Sequence, residues 1–249
     1  MTRITVLGVP VDALTEAEAV DWVAHAIAEG RPRLVISVNP ERIMHAGRDP
    51  AFAAVLRKAD LALADGAGVL WAARRLGHPL PGRVAGVDFV AALAARGASA
   101  GWRFFFLGGA PGVAEAAGRA LRDTYPRFIL AGTHAGSPDP SSDAATIEAV
   151  RSSGAQLLLL AYGAGAEEAW LARNLVASGA IVGMGVGGAF DFISGRARRA
   201  PPWMRKRGLE WLHRLSRQPW RWRRMIALPR FVIRVMREGS QSSSPSGGG

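Results

Sequence analysis

Cysteine is absent from the 249 residues, which excludes disulfides and thiolate metal sites. No run of 18 apolar residues occurs, so no transmembrane helix is expected. The first residues, MTRITVLGVPVD, go straight into strand-like alternation without the apolar core of a signal peptide. There is no D-x-D pair to hold a diphosphate-bound Mg²⁺ or Mn²⁺. The histidines, at positions 25, 45, 78, 134 and 213, lack zinc-ligand spacing. No G-x-S-x-G nucleophile elbow occurs either. These absences lead to the expectation of a cytoplasmic protein that needs neither metal nor cofactor.

What is present is a hydrophobic content of 49% and a formal net charge of +11. The length suits one large domain, or one domain with an appendage. The charge is concentrated: residues 196–238 hold 14 arginines and lysines against only Glu210 and Glu238, whereas residues 1–195 are nearly neutral. A basic segment on a neutral body points to an anionic partner.

Apolar runs alternate with helical patterns. Candidate strands are 4–9, 33–39, 60–65, 103–108, 127–132, 156–162 and 180–186. Most are continuously apolar, as strands buried on both faces of a parallel sheet are. Helix starts are marked by a capping box at Thr15 and Glu18, by Asp49-Pro50, and by Pro111; a further helix spans roughly 165–178. The expected fold is α/β, a Rossmann-like, mostly parallel sheet with helices on both faces, plus a helical C-terminal appendage. The expected divisions are a catalytic body over 1–195, a basic appendage over 196–238 cut into short helices by its prolines, and a disordered tail over 239–249.

Ligands of open parallel sheets bind outside the carboxyl ends of the strands. That rule selects Ser37 and Asn39, Asp65, the loop Gly108-Gly109-Ala110-Pro111-Gly112, His134 and Gly136, Glu167, and the stretch from Gly185 to Asp191; Arg83 lies before a helix starting near Gly86. Asp65 suits a helix N-cap as well as it suits a general base. Ser37 and Asn39 suit turn formation ahead of Pro40 equally well. The loop 108–112 suits a phosphate or a plain tight turn. Gly183, Gly185 and Gly188 spell G-x-G-x-x-G, but no βαβ unit follows, so an NAD-dependent oxidoreductase is rejected. The glycines read instead as a passage that lets Phe190 and Asp191 face a ligand.

Three blocks of sequence resemble the WecG/TagA/CpsF glycosyltransferases, glycosyltransferase family 26, over residues 4–237: "SVNPERIMHAGRDPAFAAVLRKADLALADGAGV", "FFFLGGAPGVAEAAGRAL", and "GVGGAFDFISGRARRAPPWMRKRGLEWLHRLSRQPWRWRRM". The resemblance implies an inverting transfer, without a metal, of an N-acetylmannosamine-type sugar from a UDP-sugar to a polyprenyl-diphosphate-linked N-acetylglucosamine acceptor. It implies Asp65 as the catalytic base, with Ser37 (where Thr is usual), Asn39 and Arg83 beside it. Donor contacts are expected from Gly108, Gly109, Gly112, His134, Gly136, Glu167, Gly187, Phe190 and Asp191. Arg214, Arg221 and Arg224 of the appendage are expected to enter the active site. One departure stands out: the family's G-x-P-x-Q-E becomes GAGAEE here, which puts Glu167 where a neutral glutamine is usual.

The appendage interleaves arginine with Trp203, Trp211, Trp220 and Trp222. That pattern suits attachment to an anionic membrane surface through residues 196–237, on the inner face of the cell membrane. A nucleic-acid-binding module would also interleave basic and aromatic residues, and a solvated charged face is the third reading; the membrane reading ranks first, because it fits a lipid-linked acceptor, and no nucleic-acid partner is expected. Because the sheet is complete by residue 186, the body is expected to fold without the appendage.

Overall fold

The computed structural model describes residues 1–217 and 226–242. Its centre is a six-stranded sheet of β3 (Arg33–Val38), β4 (Leu61–Ala64), β5 (Arg103–Gly108), β6 (Ile129–His134), β7 (Leu157–Ala161) and β8 (Val182–Gly185). The order is β4-β3-β8-β7-β5-β6, and every pairing is parallel. The chain order reverses around β8, which is inserted between β3 and β7. In open parallel sheets such a switch point opens a crevice at the carboxyl ends of the strands.

Both faces of the sheet are covered, which is why the strands read as unbroken apolar runs. Leu34, Ile36 and Val38 share one core with helices α2 (Pro40–Ala46), α3 (Pro50–Arg57), α4 (Ala67–Arg75), α7 (Asp143–Ser153) and α8 (Ala166–Ser178). Val35, Leu61 and Leu63 share the other with α1 (Glu16–Glu29), α5 (Gly86–Ala100), α6 (Val113–Thr124) and α9 (Ala189–Ile193). The starts of three helices follow local chemistry. Thr15 and Glu18 form the capping box, Asp49 caps α3 ahead of Pro50, and Asn39 caps α2 ahead of Pro40.

The run 4–9 does not join the sheet. It breaks at Leu7 and Gly8, which take φ of +50° and +80°, into a tight hairpin of β1 (Arg3–Val6) and β2 (Val9–Asp12). Two consecutive positive φ values match the right-handed twist of hairpin strands. Asp12 is buried, takes both Arg3 nitrogens at 2.8 Å, and accepts the Ala62 N–H at 2.8 Å. That clamps the hairpin beside β4, an edge strand otherwise open to pairing.

The appendage forms α10 (Pro202–Lys206), α11 (Glu210–Arg217) and α12 (Ala227–Ser242). Pro229 does not cut a helix. It sits in the first turn of α12, where its missing N–H costs nothing. The helix also runs past Gly239 into the segment expected to be disordered. The expectation of a self-sufficient body changes here too. The sheet is complete at Gly185, but the core is not, because Phe231 and Val235 of α12 are 1% and 0% exposed within it.

Candidate active site

Three adjacent strands at the switch point, β3, β8 and β7, converge on one buried guanidinium. Arg42 lies on α2 and is 7% exposed. Its Nη1 donates to Ser37 Oγ at 2.8 Å, its Nε to Glu168 Oε1 at 2.8 Å, and its Nη2 to Glu167 Oε1. Its backbone N–H donates to Asn39 Oδ1 at 2.9 Å. Ser37 and Asn39 are thereby oriented by the same residue. Sequence reasoning missed Arg42. Its only local signal is an arginine beside the buried Ile43 and Met44 of a short helix, and its carboxylate partners lie 125 and 126 residues away.

Asp65 stands next to this group. Its backbone N–H donates to Val38 O at 2.8 Å, and its charge acts on the Arg42 guanidinium. The N-cap of α4 is Gly66, with φ of +101°, and not Asp65. Of the two roles open to Asp65 in the sequence, the helix cap is therefore taken by its neighbour.

Glu167 is fully buried. Its Oε2 accepts the N–H groups of Gly187 at 3.1 Å and Gly163 at 3.3 Å. A Cβ on Gly185 would lie 2.6 Å from Glu167 Cγ, and one on Gly183 would lie 2.6 Å from Leu171 Cδ2. The G-x-G pair thus lets α8 close on β8 and makes room for a carboxylate. Phe190 is likewise a core residue, 1% exposed and stacked on Phe106 with centroids 4.6 Å apart. The glycine run turns it inward, because α9 packs its apolar face on α6 and α5. Asp191 stays at the surface opposite Arg196, at 3.7 Å.

The remaining candidates are spread along the edge of the sheet. His134 ends β6, and Gly136 beyond it abuts the Tyr162 hydroxyl. Asp65 follows β4, so the two residues sit at opposite edges of six strands, about 24 Å apart at normal strand spacing. Gly108, Gly109 and Gly112 all have positive φ and lead into α6. Their loop borders an open cleft of about 670 Å³ lined by Ala110–Val113, Ala116 and Ser194–Arg196. The cleft contains none of Ser37, Asn39, Asp65 or Arg83. Free N–H groups at a helix start, with Arg196 opposite, suit an anion there.

Arg83 pairs with Glu210 at 3.3 Å, Glu210 also takes Arg199 at 3.2 Å, and Arg199 grips Asp88 through both nitrogens. The Arg199 guanidinium holds the Asp88 carboxyl below its usual range. This chain fastens the start of the appendage to the loop before α5. Gly208 crosses the start of α4 so closely that a Cβ on it would lie 2.5 Å from Ala67 Cβ. The appendage therefore passes over the carboxyl edge two residues from Asp65. Arg221, Arg224, Trp220 and Trp222 lie outside the described residues, as does the side chain of Arg214 on α11.

One guanidinium faces two buried carboxylates, so one negative charge stays uncompensated. Burial pushes the Glu167 carboxyl up to about 7, against the opposing pull of Arg42. The folded state then keeps a proton that the unfolded chain has released, and stability falls as pH rises from the ordinary glutamate range through about 7. Glu167→Gln should abolish that slope. In thermal melts, wild type should lose stability relative to the variant between about pH 5 and about pH 8. Parallel curves would show that the carboxyl ionises normally.

The family model for the WecG/TagA/CpsF glycosyl transferases matches residues 4–245. A protein of Bacillus spizizenii named N-acetylglucosaminyldiphosphoundecaprenol N-acetyl-beta-D-mannosaminyltransferase is 31% identical over 235 residues, covering 92% of this chain and 90% of the relative. A protein of the same name from Bacillus subtilis strain 168 is 29% identical over 214 residues, covering 86% and 83%.

Proposed function

The chain belongs to the WecG/TagA/CpsF glycosyltransferase family, and from that premise we propose that it moves an N-acetylmannosamine-type sugar from a UDP-sugar to a polyprenyl-diphosphate-linked N-acetylglucosamine. The observation that carries this reading is the meeting of Asp65, Ser37 and Asn39 at a switch-point edge crossed by a basic appendage.

An inverting transfer is one displacement at the anomeric carbon. A carboxylate takes the proton of the acceptor hydroxyl as that oxygen attacks, and the UDP oxygen leaves with the bonding electrons. Asp65 is the base. Ser37 hydrogen-bonds substrate beside it. Arg83 changes partner from Glu210 to the diphosphate, joined by Arg214, Arg221 and Arg224, so that fixed cations meet the charge developing on the leaving group. The glycine loop 108–112 and Arg196 hold the donor's phosphates. Among the described residues no group of three or more His, Asp or Glu could hold a metal ion, and arginine is proposed to do the work of a divalent cation.

The acceptor is a membrane lipid, and the appendage suits its surface. Trp203, Trp211, Leu212, Val232, Ile233 and Met236 are all exposed, among arginines 205, 207, 230, 234 and 237. Cations gain about 1 kcal/mol each near anionic headgroups, and tryptophan favours the interface. Among the described residues no helix is long and apolar enough to cross a membrane. Attachment is therefore proposed to be peripheral, on the inner face.

The test is transfer from UDP-N-acetylmannosamine to a short-chain lipid-diphosphate N-acetylglucosamine, read by product mass. Product should form at full rate in EDTA. Loss of activity in EDTA, restored by Mg²⁺ or Mn²⁺, would overturn the metal-free mechanism. No product with any UDP-sugar would overturn the reaction itself.

A further inference from the structure

Arg42, Glu167 and Glu168 are nearly inaccessible, and the transfer step as proposed uses none of them directly. Buried ion pairs seldom gain much stability over apolar packing, so what this one holds in place matters more than its strength. It reaches every loop at the switch point. Arg42 holds the Ser37 hydroxyl near the end of β3 and the Asn39 cap after it. Through Glu167 it holds the N–H of Gly163 after β7 and of Gly187 after β8, and through Glu168 that of Gly165.

We infer that Arg42 is the positioning residue of the transfer site, with Glu167 as the two-oxygen acceptor that lets it reach across three strands. Nη1 occupies an acceptor position on Ser37 Oγ, which directs the serine hydroxyl hydrogen toward Asp65 or a substrate oxygen. Glu167 ties that same guanidinium to the two glycine loops. A glutamine at 167 would offer a single acceptor oxygen, enough for the guanidinium or for the glycine N–H groups but not for both. The two oxygens of Glu167 serve both sides at once. Glu167 and the buried Arg42 are thus one device. This inference rests on the glycosyl-transfer reading above.

The experiment is a cycle of Arg42→Met, Glu167→Gln and the double variant. It measures kcat and KM in the transfer assay, UDP affinity by calorimetry, and amide exchange at Gly163 and Gly187. Arg42→Met should lower kcat about 100-fold while UDP affinity changes less than about fivefold. In the Glu167→Gln background the same substitution should cost about tenfold less, because it strands one buried carboxylate, Glu168, instead of two. Exchange at Gly163 and Gly187 should quicken in both single variants. Should Arg42→Met not fold, Arg42→Lys keeps the charge but cannot reach Ser37 and both glutamates, and should still lower kcat about tenfold.

Equal cost of Arg42→Met in both backgrounds, or wild-type kcat in Arg42→Lys, would overturn the inference, as would unchanged glycine exchange. A wild-type protein that transfers no sugar overturns the reaction assignment instead. Glycine exchange and UDP affinity then decide the strut by themselves.

Discussion

Asp65→Asn should lower turnover by about 10²–10⁴-fold and leave UDP affinity within about threefold of wild type. The substitution keeps size and shape, removes the capacity to accept a proton, and with it the charge that acts on Arg42. The surroundings of Asp65 are fixed by backbone that the change does not touch. Its own N–H is bonded to Val38 O, and Gly66 at φ +101° turns the chain into α4. The loss should therefore fall on kcat. Single-turnover transfer and UDP calorimetry on the same preparation separate the two quantities. Turnover near the wild-type rate would remove Asp65 from the base role.

Phe231→Ala should destabilise the protein by about 3–5 kcal/mol, a large share of the roughly 5–15 kcal/mol that holds an ordinary domain folded. Phe231 is 1% exposed and approaches Gly68, and a Cβ on Gly68 would lie 2.7 Å from Pro40 Cγ. Pro40 follows Asn39, and Gly68 lies three residues after Asp65. The anchor of α12 is therefore packed beneath the two loops that carry the proposed chemistry. Removing residues 226–249 should do more than detach an anchor. It should expose that apolar seat, lower the unfolding midpoint in urea, and abolish transfer even to a soluble acceptor. The outer face of the same helix supplies the contrast. Ile233→Ser and Met236→Ser should leave the urea midpoint unchanged and weaken binding to anionic vesicles. A truncated chain as stable as wild type would mean that Phe231 adds nothing to the core.

The architecture was legible in the sequence because its causes are local or periodic. Continuous apolar runs such as QLLLLAY mark strands covered on both faces. Thr15 with Glu18, and Asp49 with Pro50, mark helix starts through bonds that span three residues. The place of Asp65 at the carboxyl edge was legible because a charged residue ends an otherwise apolar strand. The +12 of residues 196–238 needed only counting.

Other features depended on which distant segments meet. The run 4–9 reads as one strand until Leu7 and Gly8 turn it into a hairpin held by Asp12. Phe190 reads as a ligand contact until α9 packs it on Phe106. Glu167 reads as a donor contact after a strand, and only the structure shows Gly185 admitting it to the interior beside Arg42. The stretch 226–242 reads as a basic piece broken at Pro229 and disordered from 239, and the spacing of Phe231 and Val235 does not say what will cover them. Caps and strand patterns are fixed by interactions within a few residues. A buried charge is fixed by the partner that neutralises it, and here the fold brings that partner from α2, 125 residues away in the chain on the same face of the sheet.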